Sequence, residues 1–212
     1  EYRISEHGWL PDYSAEDVAR AVAQFAPVEY HGAVSVNGAE VIFHDAGHIL
    51  GSAIVEIRVD DKTFVFSGDL GNPPVPLLHP TDFVPKADVI IMESTYGDRE
   101  HDPATTRVAK LERAIEQTAK RRGTILIPSF AVERTQEVLY ELNDLVENNK
   151  IPRLPVFVDS PLAIRATQIY RKYAHFFNPA AAALIKSGED VFNFPGLTIT
   201  TSVEESKKIN DV

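Results

Sequence analysis

Apolar and polar positions change their spacing twice along this chain, and each change marks a different kind of structure. Ser14-Ala15-Glu16-Asp17, followed by Val18, Ala19, Val22 and Phe25, has the pattern of a capped amphipathic helix, which Pro27 stops. The period then shortens to two. Val34–Val36 and Glu40–Phe43 flank Asn37-Gly38, a dipeptide suited to the left-handed backbone of a tight hairpin turn. Ile54–Val59 and Thr63–Phe66 repeat that arrangement around Asp60-Asp61-Lys62. Residues 72–86 hold five prolines and read as an irregular surface loop. Ala87–Met92 is a continuous apolar run ending at Glu93, the pattern of a buried strand.

From residue 100 the periods alternate. Asp102-Pro103 opens a helix, with an N-cap followed by Pro at the first helical position, and Gly123 stops it after Arg122. Thr124–Ile127 reads as a strand, Thr135–Glu147 as an amphipathic helix and Val156–Val158 as a strand. A helix over about 163–173, a strand over Leu197–Thr200 and a last helix over Val203–Asn210 complete the series. This alternation predicts an α/β fold whose second part, residues 100–212, carries a mostly parallel, Rossmann-like sheet. The boundary falls near residue 99.

Charge supports the same division. Residues 1–93 carry 5 basic and 15 acidic side chains, whereas residues 94–212 carry 16 of each. An acidic first part suits metal binding or plain solvation, and the net charge of −10 argues against a simple basic nucleic-acid coat protein. Cysteine is absent, which removes disulfides, thiolate zinc sites and thiol catalysis, and fits the cytoplasm. No run of eighteen apolar residues is available for a membrane span, and Glu1-Tyr2-Arg3 has no signal-peptide pattern.

Three polar residues share one kind of position. His48 follows the strand Glu40–Phe43, Asp69 follows Thr63–Phe66 and Glu93 follows Ala87–Met92, each beside Gly or Ser where the backbone can turn sharply. Side chains at the same edge of a sheet can converge although they lie over twenty residues apart. An imidazole with a carboxylate suits zinc, and a carboxylate can bridge two metals. Spacing alone leaves other readings open: His48 as a hydrogen-bonding loop residue, Asp69 as a turn residue, and Glu93 as a helix start or solvated strand end.

The strings "FHDAGHILGSA" and "FSGDLG" between Phe43 and Gly71 closely resemble two motifs of the metallo-β-lactamase fold. With "MESTYGDREH", "IPSFAVERTQEVLYEL" and "DSPLA", the chain is similar throughout to the β-CASP branch of that superfamily, whose members process RNA or DNA. The resemblance implies part of an αββα sandwich over residues 1–99, followed by a β-CASP domain over 100–212. It implies that His48 ligates one zinc, that Asp69 bridges two zincs, and that Glu93 supports proton transfer near the leaving group. Such enzymes hydrolyse phosphodiesters with metal-activated water. The family's His-x-His-x-Asp-His string is not among these residues, nor are its two late histidines. The chain therefore reads as an internal segment of a ribonuclease, binding zinc weakly and inactive by itself.

The resemblance also sets Ser129, Phe130, Arg134 and Ser160 near a cleft for single-stranded RNA. There a base could stack on Phe130 while Arg134 meets a phosphate. Alternatively, Phe130 is core and Arg134 pairs with Glu137 or Glu133. Lys120-Arg121-Arg122 ends a helix, where cations complement the dipole. His7, His31, His44, His79, His101 and His175 form no HxH or HxxxH pair and read as structural. A non-catalytic RNA- or protein-binding module is the competing functional class. A hydrolase of small esters fits less well, because residues 100–212 would serve no small substrate. A homodimer is left open.

Overall fold

The computed structural model describes residues 12–211, so His7 lies outside the described part. The first helix, α1 (Ala15–Val22), begins with the expected capping box. The Ser14 hydroxyl accepts from the Asp17 amide at 3.2 Å, and the Asp17 carboxylate accepts from the Ser14 amide at 2.7 Å. Five strands follow: β1 (Ala33–Val36), β2 (Ala39–Asp45), β3 (Ala53–Val59), β4 (Lys62–Phe66) and β5 (Val89–Ile91). They form one sheet in sequence order, antiparallel except for the parallel β4–β5 pair. Both hairpin turns are left-handed at their central residues, with φ of 51° and 89° at Asn37 and Gly38 and of 50° and 57° at Asp60 and Asp61. That conformation matches the twist of the flanking strands, so turn chemistry fixes the register.

The second part contains α2 (Ala104–Lys120), α3 (Arg134–Glu147), β6 (Val156–Val158), α4 (Pro161–Lys172) and α5 (Pro179–Lys186). It ends with β7 (Leu197–Ile199) and α6 (Val203–Lys208). Helix α2 starts one residue later than its sequence suggests, with Pro103 in the capping position and the Asp102 carboxylate paired with Lys110. Helix α5 carried no recognised start signal, yet the Asn178 side chain caps it by accepting from the Ala181 amide at 2.9 Å.

In the second part the described residues form a parallel sheet of two strands, β6 and β7, and the larger sheet is mostly antiparallel. Three expectations need correction. Thr124–Ile127 is not a strand, and Leu126 is 88% exposed. A β-prone run becomes a strand only beside a partner, and none lies next to it among the described residues. Strand β5 is an exposed edge and not a buried strand, because β4 flanks it on one side and no layer covers Ile90.

The proline-rich stretch is the third correction. It is no surface loop along its whole length, because Leu77 and Leu78 are buried in the main core among Leu139, Leu142, Leu145, Tyr170, Phe177 and Phe192. Main-chain groups complete the seat. The Asn178 amide donates to the Leu77 carbonyl at 2.8 Å, and its side-chain amide donates to the Pro76 carbonyl at 3.0 Å. Residues from before position 99 therefore share one core with residues after it. No helix among the described residues is long and apolar enough to cross a membrane.

Leu77→Ala should lower the unfolding free energy by about 2–5 kcal/mol, because the seat is fully enclosed and cannot collapse freely. Phe83→Ala, in the same stretch but 85% exposed, should change it by less than about 0.5 kcal/mol. Chemical denaturation of the two variants measures both, and equal effects would remove the anchoring role of Leu77.

Candidate active site

Two backbone loops meet at the C-terminal ends of β2 and β4. In the first, the amides of His48 and Ile49 both donate to the Ser52 hydroxyl, at 3.1 and 3.2 Å. The Tyr30 hydroxyl donates to the Ser52 carbonyl at 2.8 Å, fixing the far side of the same loop. The second loop is pressed against the first. The Gly71 amide donates to the Ala46 carbonyl at 2.8 Å, and a Cβ at Gly71 would lie 1.9 Å from the Gly47 carbonyl oxygen. Only glycine permits that approach.

The result is a convergence of the three strand-end residues. His48 Nε2 lies 4.0 Å from Asp69 Oδ2, with both side chains open to solvent. Glu93 joins them through its backbone and its carboxylate. Its amide donates to the Ser67 hydroxyl at 3.0 Å, and its Oε1 accepts from the Leu70 amide at 2.7 Å. The Leu70 amide, helped by Thr95 and by the nearby His48, holds the Glu93 carboxyl below the usual carboxylate range. A carboxylate held in its charged form is suited to orient an imidazole and to stabilise its protonated form. An imidazole nitrogen and a carboxylate oxygen are both ligand types that zinc takes, and together they supply about half of what a stable site needs.

The second part supplies the other wall. Helix α3 starts at Arg134, directly after Glu133, whose backbone has φ of 64°. The Arg134 guanidinium pairs with the buried Glu137 carboxylate, whose electrostatic surroundings include Arg107 and His48. Phe130 is 84% exposed, so it is not core. Its carbonyl accepts from the Thr135 hydroxyl at 2.8 Å and from the Thr135 amide at 3.1 Å, which fixes the main chain behind the ring. Ser129 is exposed, and the Ser160 hydroxyl accepts from the Ala163 amide at 3.2 Å as the N-cap of α4. Of the two readings of this region, the structure gives one half of each: an exposed Phe130 and an Arg134 paired with Glu137.

Sequence reasoning missed a buried connection between the walls. The Tyr170 hydroxyl, on α4, donates to the Glu133 carboxylate and accepts from the Leu50 amide at 3.2 Å, two residues beyond His48. Burial, with the Glu137 charge adding to it, pushes the Glu133 carboxyl up to about 7 against the lowering effect of the Tyr170 hydrogen bond. Its Oε1 has no hydrogen-bond partner among the described residues. Nothing in the sequence distinguishes this Glu from a solvated one.

Comparison with known proteins adds an independent line. Residues 135–212 match the family described as the Beta-Casp domain. The chain is 36% identical over 200 residues to "Ribonuclease TTHA0252" of Thermus thermophilus, covering 94% of this chain and 46% of that protein. It is 32% identical over 179 residues to the "RNase J-like protein" of Methanocaldococcus jannaschii, covering 82% and 42%. It is 29% identical over 199 residues to "Endoribonuclease YSH1" of Kluyveromyces lactis, covering 91% and 26%. The chain thus spans less than half the length of these relatives.

The Glu133 environment predicts a pH dependence. Below pH about 4.5, the ordinary value, both folded and unfolded forms hold the proton and the full contribution to stability is present. As pH rises from there towards about 7 the unfolded chain ionises first, so stability falls, and above that pH the loss is complete. Glu133→Gln should abolish this part of the slope, a difference of no more than about 3 kcal/mol between the two proteins. Denaturation series at several pH values check it, and parallel curves for the two proteins would contradict a protonated buried Glu133.

Proposed function

We propose, from the premise that the chain belongs to the β-CASP branch of the metallo-β-lactamase superfamily, that it forms part of a zinc-dependent ribonuclease. The observation that carries this reading is the convergence of His48, Asp69 and Glu93 on one opening whose other wall is the start of α3. The names of the relatives, two ribonucleases and an endoribonuclease among them, point to RNA as the substrate.

In this reading His48 would be a ligand of one zinc and Asp69 would be shared by two, with further ligands supplied from outside this chain's convergent pair. Bound zinc contributes a nucleophile at neutral pH and neutralises charge on the phosphate oxygens. The chain's own residues do the rest. Asp69 stands between Gly68, with φ of 55°, and Leu70, whose amide is tied to Glu93, so the metal ligand and the proton-handling carboxylate share one short loop. Glu93 holds and orients the group that protonates the leaving oxygen. Phe130 offers an exposed ring for a base to stack on, which favours single-stranded RNA. Arg134 is free to turn from Glu137 to a phosphate, since about half of its side chain is exposed. Ser129 and Ser160 contribute polar contacts at the rim, and the chemistry operates in the cytoplasm.

In the full-length protein Asp69→Ala should lose zinc and slow RNA cleavage by at least ~10³-fold, because metal and nucleophile go together. Glu93→Ala should slow cleavage by ~10²–10⁴-fold and keep its zinc, because it acts on a proton and not on the metal. Metal analysis beside a cleavage assay separates the two. Full zinc and near-normal cleavage in purified Asp69→Ala protein would overturn the assignment. A wild-type protein that binds RNA without cleaving it would favour a binding module.

A further inference from the structure

A second group of side chains of metal-ligating type shares no residue with the candidate active site. His31, His44 and Asp82 each present one donor atom within 4.8 Å of the other two. They come from three segments that the fold brings together. His31 has φ of 63° at the turn before β1, and its amide donates to the Phe43 carbonyl at 2.7 Å, which sets it beside His44 on β2. Asp82 arrives from the proline-rich stretch. Its amide donates to the Asp45 carbonyl at 2.8 Å, and its Oδ2 accepts from the Asp45 amide at 2.7 Å. The two imidazole rings have centroids 5.7 Å apart.

His44 and Asp82 are each oriented by a group outside the cluster, and His31 is oriented by Asp82. His44 is only 15% exposed, and its Nε2 is 2.7 Å from the carboxylate of Glu56, itself buried on β3. The register explains the contact: His44 pairs with Ile54, so Glu56 is its diagonal neighbour on the same face of the sheet. A carboxylate on one ring nitrogen fixes the ring and its tautomer, leaving Nδ1 as the second donor. Arg58 holds Glu56 in turn, with Nε at 2.6 Å from Oε1. His31 Nε2 lies 2.8 Å from Asp82 Oδ2.

Charge favours a cation. Three carboxylates, Asp45, Glu56 and Asp82, surround the two imidazoles, and Arg58 on Glu56 is the guanidinium that offsets them.

We propose that His31, His44 and Asp82 form a divalent-zinc site with two imidazoles, one carboxylate and a position left for water, held in place by Glu56. Zinc bonds of about 2.0–2.1 Å in a tetrahedral shell set donors about 3.3 Å apart. The present spread closes to that by rotation of His31, the most exposed of the three side chains. The ion would clamp the turn before β1, the end of β2 and the proline-rich stretch, so its effect is on stability, while the candidate active site keeps its own ligands. Neutral imidazole with carboxylate suits zinc over calcium or magnesium, which prefer oxygen alone.

The test is calorimetric titration of the full-length protein with zinc chloride in a His48→Ala/Asp69→Ala background, which removes the candidate active-site pair. Beyond any zinc that the remaining outside ligands hold, this protein should bind one saturable equivalent that depends on His31, and its melting temperature should rise with zinc. Adding His31→Ala, a substitution of an exposed side chain, should weaken that binding at least tenfold and abolish the thermal shift. Adding Glu56→Gln instead should weaken it by about 10–100-fold through His44, with circular dichroism confirming the fold. No zinc binding in the double variant, or binding unaffected by His31→Ala, would overturn the proposal. Either outcome leaves the RNA cleavage reading intact, since that depends on His48 and Asp69.

Discussion

A methyl group at Gly71 would sit 1.9 Å from the Gly47 carbonyl oxygen, and much of the molecule is arranged around the contact that this missing atom allows. The close approach brings the Asp69 loop onto the His48 loop. It also points the chain into the stretch that buries Leu77 and Leu78 beneath α3 and α4 and then returns Asp82 to the end of β2. One segment thus sets His48 beside Asp69, joins the two halves of the core and completes the histidine cluster. An ordinary loop could be lengthened or replaced at small cost, but this one is constrained at its glycine, its leucines and its aspartate.

The opening between the halves is held from both sides by polar groups that water does not reach. Tyr170 links Glu133, before α3, to the Leu50 amide in the His48 loop, so the wall with Phe130 and Arg134 is tied to the wall with the ligands. A buried acid beside a buried hydroxyl stabilises the join most when protonated, and this sets a pH range over which the two walls are held less firmly. Geometry and stability therefore meet at the same junction: Phe130 and Arg134 stand beside a buried, titrating core group.

Where local chemistry decides the structure, the sequence is readable. Asn37-Gly38 and Asp60-Asp61 adopt left-handed turns, and Ser14 with Asp17 forms its capping box, because each depends on residues a few positions apart. The convergence of His48, Asp69 and Glu93 could be anticipated from their shared place at strand ends and from the family motifs. What depends on distant partners could not. Thr124–Ile127 has strand composition without a neighbour, Leu77 looks like any loop leucine until α3 covers it, and Glu133 resembles every surface glutamate. His31 and His44 lie thirteen positions apart with no metal-binding spacing, and only the hairpin geometry sets them side by side.

The central claim is that His48 and Asp69 hold a metal at the mouth of the cleft between the two parts. Anomalous diffraction at the zinc edge from crystals of the full-length, zinc-loaded protein tests it directly. The account predicts a peak bonded to both side chains, at about 2.0–2.1 Å from the His48 imidazole and about 2.0–2.2 Å from the Asp69 carboxylate. Zinc density elsewhere in the molecule with none on His48 and Asp69 would contradict it.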